Sequence, residues 1–201
     1  VGSSAAHTIY GSTKADSIAG GAGNDSIDAG EGADTVLYDA SGVPVIIGGD
    51  GTDVLVLTAR SSFVYGSASD SVAGFEVLNA AARESRTTIV GSSGTETIYG
   101  GSDADTIYGA GGSDYIDAGL GQDTVTWYAR GDTIIGGGGS GIFDRLMLTN
   151  LSAGSIFDMT ANGADSVHTG FEIFDLTLNS GAVSVIGNWE RNETIIGGNV
   201  A

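Results

Sequence analysis

The chain has 201 residues, with 25 acidic side chains against 7 basic ones, a formal net charge of −18, 35 glycines, one proline and no cysteine. Lack of cysteine excludes disulfide staples and thiolate metal sites, and the acidity repels nucleic-acid phosphates. No apolar run approaches the roughly 20 residues of a membrane span, and no amino-terminal signal peptide is visible.

Along the chain the glycines fall into a pattern. Ile9, Ile18, Ile27 and Val36 are spaced by one nonapeptide, G-G-x-G-x-D-x-U-x with U aliphatic, and Gly20 to Val36 matches it best. The first unit, Gly2 to Tyr10, is degenerate, with His7 at position six; the second has Asp16 there but Lys14 in place of a glycine. Asp25 and Asp34 occupy position six of the next two units. Tyr38 to Ile47 is a slip containing the only proline, Pro44, after which Gly48 to Asp53 restores the pattern, with Leu55 on the ladder. Val56 to Thr88 is a β-rich stretch outside the pattern, carrying Gly74-Phe75-Glu76. The ladder resumes at Ile89, Ile98, Ile107, Ile116, Val125 and Ile134, with Glu96, Asp105, Asp114, Asp123 and Asp132 at position six. A stretched turn, Gly136 to Asp144, leads to Leu146; a second non-repeat stretch, Leu148 to Ser184, carries Gly170-Phe171-Glu172 and returns through Ile186, Glu193 and Ile195. A ladder this regular argues against a disordered acidic chain.

A longer period overlies the short one. Thr97-Ile98-Tyr99-Gly100 echoes Thr8-Ile9-Tyr10-Gly11, and Asp165-Ser166-Val167 echoes Asp70-Ser71-Val72. The expected organisation is one continuous solenoid: a first unit over 1–90, a second copy over 91–186 and the start of a third over 187–201. Because the last residues, Gly197-Gly198-Asn199, stop inside a repeat, the chain reads as a segment of a longer protein.

Each repeat is a six-residue turn followed by a short strand. Glycine allows left-handed backbone and close approach of the chain to a ligand, so carbonyl oxygens can be aimed inward beside the position-six carboxylate. Hard cations such as calcium take six to eight oxygens of this mixed kind. One turn supplies too few, so an ion would sit between turn n and turn n+2, while the aliphatic residue points into the roll.

These motifs, above all Gly20 to Val36, Gly48 to Val56 and Gly100 to Thr126, resemble the hemolysin-type calcium-binding, or RTX, repeat family. The resemblance implies an all-β fold, an elongated right-handed parallel β-roll with several calcium ions between stacked turns. It implies oxygen ligands at Asp16, Gly20, Ala22, Asn24, Asp25, Gly30, Gly32, Asp34, Gly48, Asp50, Thr52, Asp53, Glu96, Gly101, Asp103, Asp105, Gly109, Gly111, Asp114, Gly119, Gly121, Asp123, Asp132 and Asp144. It also implies type I secretion of an unfolded bacterial chain that folds on meeting external calcium, outside the cell or at its surface.

Other motifs have plainer explanations. Gly136, Gly138 and Gly141 fit G-x-G-x-x-G, but a strand-like segment follows where a nucleotide site needs a helix. Arg130-Gly131-Asp132 spells the integrin tripeptide, yet Asp132 falls on position six. Asn150 and Asn192 begin glycosylation sequons that read as polar loop residues. Phe75, Phe171, Trp127 and Trp189 read as packing residues rather than a sugar platform. His7 and His168 are far apart, and no HExxH signature occurs, so no catalytic constellation is expected. The expected function is a non-catalytic calcium-binding segment of an S-layer or adhesin type. Neighbouring copies in a lattice, or cell-surface polysaccharide, are its possible partners. The alternatives are the carboxy-terminal module of a secreted enzyme and a lectin-like binding module.

Overall fold

The computed structural model describes residues 4–39, 44–58, 62–65, 71–127, 131–138, 143–149, 156–158, 167–179, 184–186 and 194–197. Trp189, Glu193 and the sequon residues Asn150 and Asn192 lie outside them. Among the described residues the regular elements are short parallel strands, wound into a β-solenoid of about seven turns. Each strand has three or four residues, because glycine-rich turns on both sides leave only the D-x-U-x segment able to extend. Strands are numbered along the chain. On one side β2 (Ser17–Ala19), β4 (Thr35–Tyr38), β6 (Val54–Leu57), β9 (Val77–Asn79), β11 (Thr97–Tyr99), β13 (Tyr115–Asp117), β15 (Thr133–Ile135) and β18 (Val167–Thr169) form an eight-stranded sheet. The other side begins with a four-stranded sheet of β1 (Thr8–Tyr10), β3 (Ser26–Asp28), β5 (Val45–Ile47) and β8 (Ser71–Ala73). It continues as a seven-stranded sheet of β7 (Ser62–Val64), β10 (Thr88–Val90), β12 (Thr106–Tyr108), β14 (Thr124–Trp127), β16 (Arg145–Leu148), β19 (Ile173–Asp175) and β21 (Thr194–Ile196). A separate pair joins β17 (Ile156–Asp158) to β20 (Ser184–Ile186).

Along the middle of the roll strand alternation puts the second residue of each strand inside, whereas Ile9 in β1 is half-buried and Ile195 in β21 is exposed. Ile18, Val36, Leu55, Leu78, Ile98, Ile116 and Ile134 lie in one register. Facing them, Phe63, Ile89, Ile107, Val125, Leu146 and Phe174 lie in another. All are buried. In the separate pair, Phe157 stands in register with Val185 and Asp158 with Ile186.

The slip at Pro44 leads into a strand of its own, β5, with Ile46 buried. The stretches around Gly-Phe-Glu also belong to the solenoid: β9 and β19 continue the eight- and seven-stranded sheets. Phe75, Phe171 and Trp127 are core residues. Tyr38 and Phe63 meet edge to face at 5.6 Å, and the Tyr65 hydroxyl accepts the Phe75 N–H at 2.8 Å. These large side chains fill the coil in which the ordinary repeat spacing is lost.

That coil has unusual connectivity. Between β6 and β9 the chain places two strands, β7 and β8, on the opposite side; β8 pairs back with β5 and β7 pairs forward with β10. The second side is therefore interrupted there, while the eight-stranded sheet runs straight past. The same event recurs between β16 and β19, where β18 pairs back with β15 and β17 pairs forward with β20. Now the interruption falls on the first side and the seven-stranded sheet runs past. Because β7 and β8 share a side, an odd number of half-turns separates β6 from its counterpart β16, and the two sides exchange roles.

Ala110 is the described non-glycine residue with positive φ, at 73°. It stands in the turn position that is glycine in the best repeats, and the left-handed region costs an L-residue roughly 1–2 kcal/mol. Part of that is returned through the unfolded chain, so Ala110→Gly should stabilise the calcium-loaded roll by about 0.5–1 kcal/mol. Urea denaturation of both proteins in saturating calcium would measure it, and a lower midpoint for the glycine variant would contradict the assignment.

Candidate metal centre

Where a turn carries a position-six acid, it delivers that acid to the edge of the roll, just before a strand. Asp25, Asp34, Asp53, Glu96, Asp105, Asp114, Asp123, Asp132 and Asp144 are all buried there, with Asp34 and Asp53 at 0% exposure, and Asp16 is half-buried. Each edge is a ladder of carboxylates bonded to backbone. Oδ1 of Asp34 accepts the Asp16 N–H at 2.8 Å, and Oδ1 of Asp53 accepts that of Asp34 at 2.8 Å. The bond repeats from Glu96 to Asp114 (3.0 Å) and from Asp114 to Asp132 (3.1 Å). Along the other edge it runs from His7 to Asp25 (2.9 Å), from Thr87 to Asp105 (2.7 Å), from Asp105 to Asp123 (2.7 Å) and from Asp123 to Asp144 (2.8 Å). The pairing of turn n with turn n+2 expected from the sequence is thus built in backbone and side chain together.

The second oxygen is less well served. Oδ2 of Asp34, Asp53 and Asp123 is buried without a hydrogen-bond partner. Leaving an ionised oxygen buried and unpaired is costly, so these atoms call for a cation. Backbone oxygens converge on the same places. A Cβ added to Gly100 would lie 2.1 Å from the Ala118 carbonyl oxygen and 3.0 Å from Oδ2 of Asp105. Gly49, at φ 108°, would bring its Cβ to 1.9 Å from the Gly30 carbonyl oxygen. Glycine leaves each cradle open. Among the described residues no three His, Cys, Asp or Glu side chains form a metal-holding group; each turn offers one carboxylate, and the remaining donors in such an arrangement are carbonyls. The residues fit calcium, which accepts mixed carboxylate and carbonyl oxygens.

The other site residues named from the sequence divide by position. Gly20, Gly48, Gly101, Gly109 and Gly121 are buried, and Ala22, Gly30, Gly32, Gly111 and Gly119 are half-buried. The side chains of Asn24, Asp50, Thr52 and Asp103 are exposed, so only their backbone can serve an inward site. The Asp50 carbonyl already accepts the Gly32 N–H at 2.8 Å, which leaves it one lone pair.

Three features escaped the sequence reading. Oε2 of Glu76 accepts the Asp53 N–H at 2.9 Å, and Oε2 of Glu172 accepts the Asp144 N–H at 3.0 Å. The Gly-Phe-Glu glutamates are therefore ladder residues; Gly-Phe-Glu-Val-Leu is the pattern G-x-D-x-U with Glu for Asp, a signal present in the sequence. Glu96 folds back on its own turn, where Oε1 accepts the Ser92 hydroxyl and Oε2 its N–H at 3.3 Å. The turn before Thr87 has no acid at position six. Its buried Arg83 donates to Thr87 Oγ1 (2.8 Å) and Ser85 Oγ (2.9 Å), and its charge favours ionised Asp105.

A parallel β-solenoid that buries one carboxylate per turn beneath glycine-lined carbonyl cradles is a calcium-binding β-roll. The family model of the RTX calcium-binding nonapeptide repeat matches residues 2–36, 45–70 and 90–125, in 4 copies. Those segments carry the RTX calcium-binding nonapeptide repeat, whose β-roll is a structural fold rather than a catalytic one. Searches of curated proteins and of solved structures each found no match. No helix among the described residues is long and apolar enough to cross a membrane.

Burial sets the protonation of the ladders. Desolvation, with neighbouring acids adding to it, lifts the Asp114 and Asp123 carboxyls from 3.8 to about 7 and that of Asp144 to about 6. Asp53 and Asp105 are raised for the same first cause. A carboxyl raised on folding binds more protons in the folded state, so stability is present below its unfolded value and is lost as pH climbs through the folded one. In chelator the chain should gain β structure as pH falls from about 8 to about 5, and saturating calcium should remove that dependence. Circular dichroism against pH reads this directly; a chelated chain better folded at pH 8 would contradict it.

Substitutions separate buried from exposed acids. Asp123→Ala removes the acceptor of the Asp105 N–H and one of the buried carboxylates, while the backbone N–H at 123 keeps Asp144 as its acceptor; Asp50→Ala removes only an exposed side chain. Asp123→Ala should lower both the calorimetric calcium uptake and the melting temperature well beyond Asp50→Ala. Equal losses would refute the division.

Proposed function

We propose that this chain is a calcium-binding structural segment of a secreted or surface-attached protein of the S-layer or adhesin type, and that calcium folds it. The observation that carries the proposal is the set of buried Oδ2 atoms on Asp34, Asp53 and Asp123, which no protein donor satisfies. In this reading the position-six acids, with carbonyls of the glycine turns such as Gly20, Ala22, Gly30, Gly101, Gly109 and Gly119, hold ions between turns n and n+2.

The energetics favour a metal-dependent fold. Without ions the edges crowd like charges in a poorly solvated setting. Ordering 35 glycines costs more backbone entropy than ordering the same number of other residues. The ladder provides about one large aliphatic residue per repeat, each contributing roughly 1.5–3 kcal/mol. Calcium binds the folded turns in preference to the unfolded chain, so its binding energy becomes folding energy. A site held at 100 times its dissociation constant contributes about 2.7 kcal/mol. Several such sites match the usual domain stability of about 5–15 kcal/mol.

The array-like role draws on duplication of whole units, 1–90 and 91–186 with 187–201 beginning a third. β4 and β14 end in Tyr38 and Trp127, whose carbonyls accept the hydroxyls of Thr58 (3.0 Å) and Thr149 (2.7 Å). Duplicated units suit a stalk or lattice element whose partners are further copies or surface polysaccharide. In a neutral buffer with excess chelator the chain should give a largely disordered circular dichroism spectrum, and millimolar calcium should restore the β-sheet one. A sheet spectrum indifferent to chelator would defeat the proposal.

A further inference from the structure

The geometry points to a calcium site at the first Gly-Phe-Glu turn, closed by Gly74 and Glu76 against the repeat turn Gly48–Asp53. Residues 74–76 lie outside the segments matched by the repeat model, which end at 70 and resume at 90. The inference rests on the proposed calcium-dependent function and extends it to a part of the chain with no nonapeptide.

Asp53 is fully buried, and its Oδ2 has no hydrogen-bond partner. A Cβ on Gly48 would lie 3.0 Å from that Oδ2 and 1.9 Å from the Gly74 carbonyl oxygen. The repeat turn at Gly100 has corresponding distances of 3.0 Å to Asp105 Oδ2 and 2.1 Å to the Ala118 carbonyl oxygen, although there Oδ2 also accepts the Gly101 N–H at 2.7 Å. Gly74 thus takes the place that Ala118 takes in a true repeat. Its φ of 72° is what turns the backbone there, a conformation glycine adopts without strain. Glu76 adds a carboxylate, whose Oε2 accepts the Asp53 N–H at 2.9 Å.

An unpartnered buried carboxylate oxygen, a carbonyl and a second carboxylate are hard donors of the kind calcium takes. The longer Glu side chain compensates for a turn that has only Gly74 and Phe75 before the acid. The site spans the point where β7 and β8 interrupt the second side, and so ties the non-repeat coil to the repeat below it.

Calorimetric titration of the full chain with calcium chloride tests the inference. Glu76→Gln keeps an oxygen that can accept the Asp53 N–H while removing the charge, and it should bind one ion fewer than the wild type. Glu84→Gln, at an exposed position off the ladder, should bind as many as the wild type. Equal uptake by Glu76→Gln and wild type would overturn this site and leave the proposed function standing; a wild type that took up no calcium would overturn both. Should Glu76→Gln not fold in calcium, anomalous diffraction from wild-type crystals grown with calcium decides. A peak about 2.3–2.6 Å from Gly74 O and Asp53 Oδ2 supports the site, and filled repeat sites with no peak there overturn it.

Discussion

The constraint on which this fold depends is a carboxylate with one oxygen committed and one uncommitted. At each edge an Asp binds the backbone N–H of the turn two before it, which fixes the stacking distance and the register of the strands that follow. That bond needs the acid inside, out of water, where the same acid is costly to ionise. Protonation at low pH relieves the conflict, and at neutral pH a cation between turns, as proposed above, would relieve it. Hydrophobic burial cannot take over this role, because each strand is too short to point more than one or two side chains inward. In the proposed reading, stacking and ion binding are one event, described from two sides.

The turn before Thr87 illustrates the alternative. There the acid is absent, Thr87 supplies only its N–H to Asp105, and Asp105 fills its second oxygen with the Gly101 N–H at 2.7 Å. Buried Arg83 brings a covalently attached cation to that turn. Asp16 fills its second oxygen in the same way, from the Ser12 N–H at 2.6 Å, so the acids left with an orphaned oxygen are Asp34, Asp53 and Asp123, whose own turns supply no such donor.

Much of this was legible in the sequence, because a nonapeptide period converts directly into geometry: glycines mark turns, aliphatic residues mark the interior, and the acid two before each aliphatic residue marks the edge. Ile98, Ile107, Ile116 and Val125 lie buried in line for that reason. What resisted reading involved substitutions and side changes that leave the period obscured. Glu76 and Glu172 were missed as ladder residues because a longer acid follows a truncated turn. The two strands β7 and β8 sharing one side left no mark, since that choice depends on which neighbour each finds. The individual carbonyls that would face an ion are likewise invisible in residue type, every residue having one.

The alternating interruptions have a mechanical consequence. In a solenoid whose two walls ended at the same level, one transverse plane would pass between turns without cutting a hydrogen-bonded ladder on either wall, and a pulling force would part the structure there. Here the wall that is broken beside β7 and β8 is backed by the continuous pairing of β6 with β9, and the wall broken beside β17 and β18 is backed by that of β16 with β19. The seams are staggered like the joints of coursed brickwork. Tension along the axis at either level must pull apart the hydrogen bonds of a parallel ladder on the intact wall, so neither non-repeat coil is a seam through both walls.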